Sequence, residues 1–311
     1  MLKKLALIIL SLSLVVTIGC TAKKQIESNN PKEPKANTIM NDFQTLIQKD
    51  SSMEEVADFI NNNISSVSKE NATKMVDEFE KKQKNNLSQF ENMFNEDGIQ
   101  NKINSEYKAI SDQSDIKDTQ LKELLDKTKN SGYKVETAEG FFFPIIDYGF
   151  YKNFISYVTP DMKDYIDIMA DESNKVPAKD AALVIGWDEI IKRALNQENF
   201  INTYKDSVKV NEIKQLYNRY VTFTLYGANN TPLFSYDSKT IDPKAKEVYL
   251  NEVTNAGNSE FLKILGAFLD LVKNNNYKLT DEVEKYRESV SKKLGESSTE
   301  SSSSSSFLRH W

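Results

Sequence analysis

The sequence predicts a mostly all-α fold, made of helical hairpins or a helical array, with one small β element near residues 133–146. Three observations carry that expectation. Ten glycines and seven prolines in 311 residues leave few helix breakers and turn formers. Apolar residues recur at helical spacing from Ile39 almost to the end of the chain. Capping residues punctuate those runs: Ser52 precedes Glu55 by three, and Thr159-Pro160 and Asp242-Pro243 each read as a cap followed by a first helical position.

The first segment is not part of the fold. Lys3 and Lys4 precede a largely apolar stretch of fourteen residues, Leu5 to Ile18. That is too short for a helix to cross a hydrocarbon core of ~30 Å, but it suits the apolar region of an export signal over residues 1–19. The stretch ends Thr17-Ile18-Gly19-Cys20, and Cys20 is the sole cysteine. This resembles the lipobox of bacterial lipoproteins, with Thr17 where that family usually has Leu. The resemblance implies a diacylglyceryl thioether on Cys20, cleavage just before it, and a membrane partner reached through that lipid. It places the protein at the outer face of the bacterial cell membrane. Two acyl chains anchor stably where one does not, since each buried CH₂ contributes about 0.8 kcal/mol.

Residues 20–38 carry the lipid site and a polar segment with Pro31 and Pro34, which reads as a flexible tether. An N-terminal helical domain is expected over 39–131. Ile39, Phe43, Leu46 and Ile47 form one face, Met53, Val56, Phe59 and Ile60 a second. Ala72, Met75, Val76, Phe79, Leu87, Phe90 and Phe94 mark a long helix ending near Asp97-Gly98. Ile99, Ile103 and Ile110, then Leu121, Leu124 and Leu125, give two shorter helices, stopped at residues 130–132.

A C-terminal helical domain is expected over 132–294. It opens with alternation after Tyr133 and the run Phe141-Phe142-Phe143-Pro144-Ile145-Ile146, which permits a hairpin limited by Pro144. Helices follow from Pro160, from Trp187, around Ile213 to Phe223 with a stop at Gly227, from Pro243, after Ser259 or Asn258, and after Thr280 with a stop at Gly295. Residues 295–311 are Ser-rich and read as a disordered tail. The segment Glu198 to Ser207 resembles the inter-helix turn of tetratricopeptide-like lipoproteins, in which Ser caps the second helix. The stretches GYKVETAEGFFFPIIDY, YIDIMADESNK, AKDAALVIGWDEIIKRAL and YGANNTPLF resemble an uncharacterised class of extracytoplasmic proteins from Gram-positive bacteria. That likeness implies a location and no activity.

Composition excludes several chemistries. One Cys and one His, His310, rule out a disulfide framework and any ordinary zinc, haem or iron–sulfur site, and no cofactor or metal is expected. Removing Lys3 and Lys4 leaves 38 basic against 46 acidic side chains, with only four Arg, so nucleic acid is an unsuitable partner. No GxG, GxxxxGK[ST], GxSxG or HExxH occurs. Carboxylates near aromatics, namely Glu139, Asp147, Asp180, Asp188 and Glu189, keep open a two-carboxylate hydrolase acting on an envelope polymer. Asp188 and Glu189 equally suit the first turn of a helix, and Glu189 an ion pair with Arg193.

The leading reading is a membrane-anchored extracytoplasmic lipoprotein that binds or scaffolds an envelope protein or cell-wall ligand. A hydrolase or a solute-binding lipoprotein of a transporter are the alternatives. The candidate binding residues are Trp187, Arg193, Tyr226, Asn229, Asn230 and Phe234, because rings beside carboxamides combine stacking with hydrogen bonding. Trp187 also has helical spacing with Ile190, Ile191 and Ala194, which fits a core position.

Overall fold

The computed structural model describes residues 32–298 except 112–114 and 256. The export signal, Cys20 and the chain beyond 298 lie outside the described residues. Helix α1 (Lys32–Gln48) begins within the segment expected as tether. Pro34 is compatible with that start, because the first-turn amides of a helix have no intrahelical acceptor. Between α1 and α2 (Met53–Asn63), Ser52 forms the capping box that its spacing from Glu55 predicts. Glu55 N donates to Ser52 Oγ at 3.2 Å, and Ser52 N donates to Glu55 Oε2 at 2.9 Å.

Helix α3 (Lys69–Phe94) carries the long apolar stripe and ends as expected, with Gly98 at a φ of +80°. Helices α4 (Ile99–Ser111) and α5 (Thr119–Asn130) follow, and Gly132 at φ +74° closes the segment. Strands β1 (Tyr133–Ala138) and β2 (Phe141–Ile146) form the expected hairpin around Glu139 and Gly140, both at positive φ. Pro144 does not end the strand. A two-residue turn makes Ala138–Phe141 a hydrogen-bonded pair, and alternation makes Val135–Pro144 a non-bonded one. The prolyl nitrogen therefore faces away from β1 and no ladder bond is lost. On the same outer edge, Gln100 accepts from Phe142 N at 2.9 Å and donates to Phe142 O at 2.8 Å.

A short helix α6 (Tyr148–Tyr151) follows the hairpin. Helices α7 (Pro160–Asn174), α8 (Trp187–Thr203) and α9 (Val210–Tyr226) come next. Two further hairpins sit in their connections, of two residues a strand: β3 (Ala178–Lys179) with β4 (Ala182–Leu183), and β5 (Gly227–Ala228) with β6 (Thr231–Pro232). Ser207 does not cap α9. Its hydroxyl donates to Asp161 at 2.6 Å, which ties the α8–α9 turn to the start of α7. Helices α10 (Pro243–Glu252), α11 (Glu260–Asn274) and α12 (Asp281–Ser298) follow. Asp242 accepts from Ala245 N at 2.8 Å and Ser259 from Leu262 N at 3.1 Å, as their capping positions predict. The stop expected at Gly295 is overrun, and α12 continues to Ser298. A single glycine costs a helix only about 1 kcal/mol.

Among the described residues helices dominate, with three small antiparallel hairpins, so the fold is all-α with minor β elements. One buried cluster runs from Ile39 and Phe43 through Phe79, Tyr151, Ile166 and Ile191 to Phe268 and Val290. It crosses the boundary expected at 131/132. A smaller cluster of Phe94, Ile99, Ile103, Leu121, Leu124 and Phe142 lies under the β1–β2 hairpin.

Candidate functional site

Among the described residues, two helix junctions bring several buried charged side chains together. The first begins on α3. Glu80 lies on the apolar stripe, four residues after Val76 and seven before Leu87, and only 1% of it is exposed. Lys209, equally buried just before α9, places its ammonium 2.5 Å from Glu80 Oε2 and 2.7 Å from Asp77 Oδ1. Lys84 reaches Glu80 Oε1 at 2.8 Å and Glu212 at 2.5 Å. The hydroxyls of Tyr148 and Tyr165 both donate to Glu80 Oε1. Lys209 also lies 4.8 Å from the centre of the Tyr165 ring. Below this layer Tyr151 donates to Gln83 Oε1, and Gln83 Nε2 donates to Ser131 O at 2.7 Å.

Burial alone would raise the Glu80 carboxyl, but the ammoniums of Lys209 and Lys84 outweigh it and hold the group well below the usual carboxylate range. Burial would lower Lys209, and Glu80, Glu212 and Asp77 reverse that and raise it. Tyr148 and Tyr165 are pushed far up, first by burial and then by the Glu80 charge. Glu80 and Lys209 are thus both charged near neutral pH, and Tyr148 and Tyr165 keep their protons. The junction joins α3, α6, α7 and α9 and is suited to holding them rather than to moving protons.

The second junction links α7, α8 and α9. Glu172 accepts from Tyr220 OH, which lies 2.7 and 2.8 Å from its two oxygens, with Arg193 Nη1 at 3.4 Å. Arg193 donates from Nε to Glu189 at 2.9 Å, and from Nη1 to Lys175 O at 2.9 Å and Tyr220 OH at 3.1 Å. Burial pushes the Glu172 carboxyl up to about 7 against the opposing pull of Arg193 and Tyr220.

The residues singled out from sequence are distributed between core and surface. Trp187 is buried edge-on to Tyr249, ring centres 5.9 Å apart. Arg193 points inward to Glu172. Phe234 is buried edge-on to Phe268 at 6.2 Å. Tyr226 lies under the Arg287 guanidinium at 4.3 Å, so the cation beside this ring is Arg287 and not Arg193. Asn230 joins the two small hairpins: its N–H donates to Ala181 O at 2.8 Å and its Nδ2 to Asp180 O at 2.7 Å. Asn229 is exposed, and its carbonyl accepts from the exposed Tyr236 at 2.9 Å. The structure therefore joins Tyr226 to Phe234 through Arg287, whose carbon lies 5.4 Å from the Phe234 ring, and leaves Asn229 and Tyr236 outside.

The candidate carboxylates have local partners or turn roles. Glu139 and Asp180 occupy left-handed turn positions at φ 50°. Asp147 accepts from Gly149 N at 3.0 Å, and Glu189 pairs with Arg193. A shallow groove between α7 and α8, of about 200 Å³, is lined by Asp164, Asp167, Asp171, Asn196, Asn199 and Phe200. Tyr204 donates to Asp164 at 2.8 Å, and Lys152 pairs with Asp167 at 3.2 Å. Among the described residues no group of three His, Cys, Asp or Glu side chains is arranged to hold a metal ion.

Sequence reasoning missed Glu80, Gln83 and Glu172. Their signal was present, since each is a polar residue at a buried position of its helix stripe: Glu172 follows Met169 by three residues and Tyr165 by seven. Lys209 precedes its helix and gave none. Compared with protein-family models, with curated proteins and with solved structures, the chain matches none.

Proposed function

We propose that this chain is a lipid-anchored extracytoplasmic module that binds or scaffolds an envelope component at the outer face of the cell membrane. The observation that carries this reading is the coincidence, within twenty residues, of Lys3 and Lys4, the apolar run, Gly19 and the sole cysteine. Binding is further supported by the state of the buried ionisable groups in the α3 junction, which are fixed in charge and paired to one another. In this reading the contact surface is the rim of the two small hairpins, which is supported by Tyr236, 64% exposed beside Asn229, and by the exposed Val184.

Anchoring is tested by Cys20→Ala in the full chain. The variant is expected to leave the detergent phase and the membrane fraction, and wild-type partitioning by Cys20→Ala would overturn the lipid assignment. Binding is tested by crosslinking on intact cells with wild type, Asn229→Ala and Tyr236→Ala. Both variants should lose a specific adduct while keeping the wild-type Tm. Unchanged capture by both would remove the hairpin rim as the contact surface.

A further inference from the structure

Glu172 is 3% exposed, and the protons available to its carboxylate are few. Tyr220 has one hydroxyl proton to offer to two oxygens. Both protons of Arg193 Nη1 have nearer acceptors in Lys175 O and Tyr220 OH, and the Nε proton goes to Glu189. The guanidinium charge is therefore shared with Glu189, which stands closer to it, at 2.9 Å against 3.4 Å for Glu172. A buried carboxylate served in this way is relieved by taking up a proton.

We propose that Glu172 is a proton-operated latch on the α7–α8–α9 junction, closed when the carboxyl is neutral and loosened when it ionises. Loosening would act on the end of α7 and on the connection to the β3–β4 hairpin, because Lys175 O is held by the same guanidinium. The charged and titratable groups around it are Arg193 and Glu189 from α8, Tyr220 and Arg219 from α9, and Asp171 and Lys175 on its own side. Lys134 of β1 reaches the adjacent Asn174 at 2.9 Å, and Asp147, before α6, pairs with Lys134 at 3.5 Å. Of the groups in direct contact with Glu172, Arg193 and Tyr220 are both raised, which leaves Glu172 as the one that changes charge near neutrality.

The folded value of about 7 stands above the ordinary 4.5, so the unfolded chain releases this proton first. The associated stability is complete below pH 4.5 and is lost as pH rises through 7. Tm is to be measured from pH 6 to pH 8 for wild type and Glu172→Gln. Wild type should lose about 3–5 °C more than the variant over that interval. Hydrogen exchange at residues 170–176, corrected for intrinsic rate, should quicken with the same midpoint in wild type alone. The carboxyl carbon of Glu172, followed by NMR in wild type, reads the latch without any substitution. A midpoint between pH 6 and 8 supports the proposal. A carboxylate that is ionised throughout that range, or identical Tm profiles for the two proteins, overturns it.

Discussion

Lys209 shows how much one side chain can hold. It precedes α9, far in sequence from its partners on α3, yet it pairs with Glu80, which is buried with it, and with Asp77. Lys209→Met removes the cation and leaves both carboxylates buried. A loss of about 3–5 kcal/mol is expected, measured by urea unfolding. Trp187→Ala should cost a similar amount, about 3–5 kcal/mol, because the ring is packed against Tyr249. Acid should act through Glu80. Its folded value lies below the ordinary 4.5, so its stabilisation is full above that pH and falls away as pH drops. Urea midpoints between pH 3 and 6 should therefore decline more steeply for wild type than for Glu80→Gln. Much of this scale was hidden in the sequence. A Glu on an apolar stripe can be recognised, but its partner was a Lys in a loop, and no local pattern joins residues 129 positions apart.

Elements were far more legible, because capping and periodicity are local. The Ser52–Glu55 box, Asp242, Ser259 and the β1–β2 hairpin all stand where their residue types require. The small hairpins were not foreseen, since two-residue strands show no alternation to read. They depend on particular backbone positions. Gly227 has φ +74°, and a Cβ there would stand 2.2 Å from Thr231 O. Gly227→Ala should destabilise by more than about 1 kcal/mol through strain and that collision, read as a lowered urea midpoint. Asn230→Ala removes a side-chain bond to Asp180 O, and should lower Tm, unlike the neutral Asn229→Ala. The role of Asn230 was not legible for a related reason. Asn and Thr in a polar loop look alike whether they face a ligand or another loop, and Asn230 faces a loop.

At the scale of the whole molecule, the apolar cluster shared by residues 39–131 and 132–294 couples the two halves. Unfolding monitored by far-UV and near-UV circular dichroism is expected to give coincident transitions, whereas separated midpoints would show that the halves melt independently. The helical class was readable from the scarcity of glycine and the spacing of apolar residues. The shared core was not, because periodicity reports which face is buried and not what buries it.

The outer edge of β2 has a consequence under the proposed lipid anchoring. Lipid tethering would bring copies together in two dimensions, where an open strand edge could recruit a neighbour's strand. Along that edge Phe142 has both backbone groups occupied by Gln100, and Pro144 has no N–H to offer. A visiting strand would find its acceptors unmatched at two successive outward positions. The same proline that looked like an obstacle to the hairpin thus acts as a safeguard against strand-to-strand polymerisation wherever copies of the chain are crowded together.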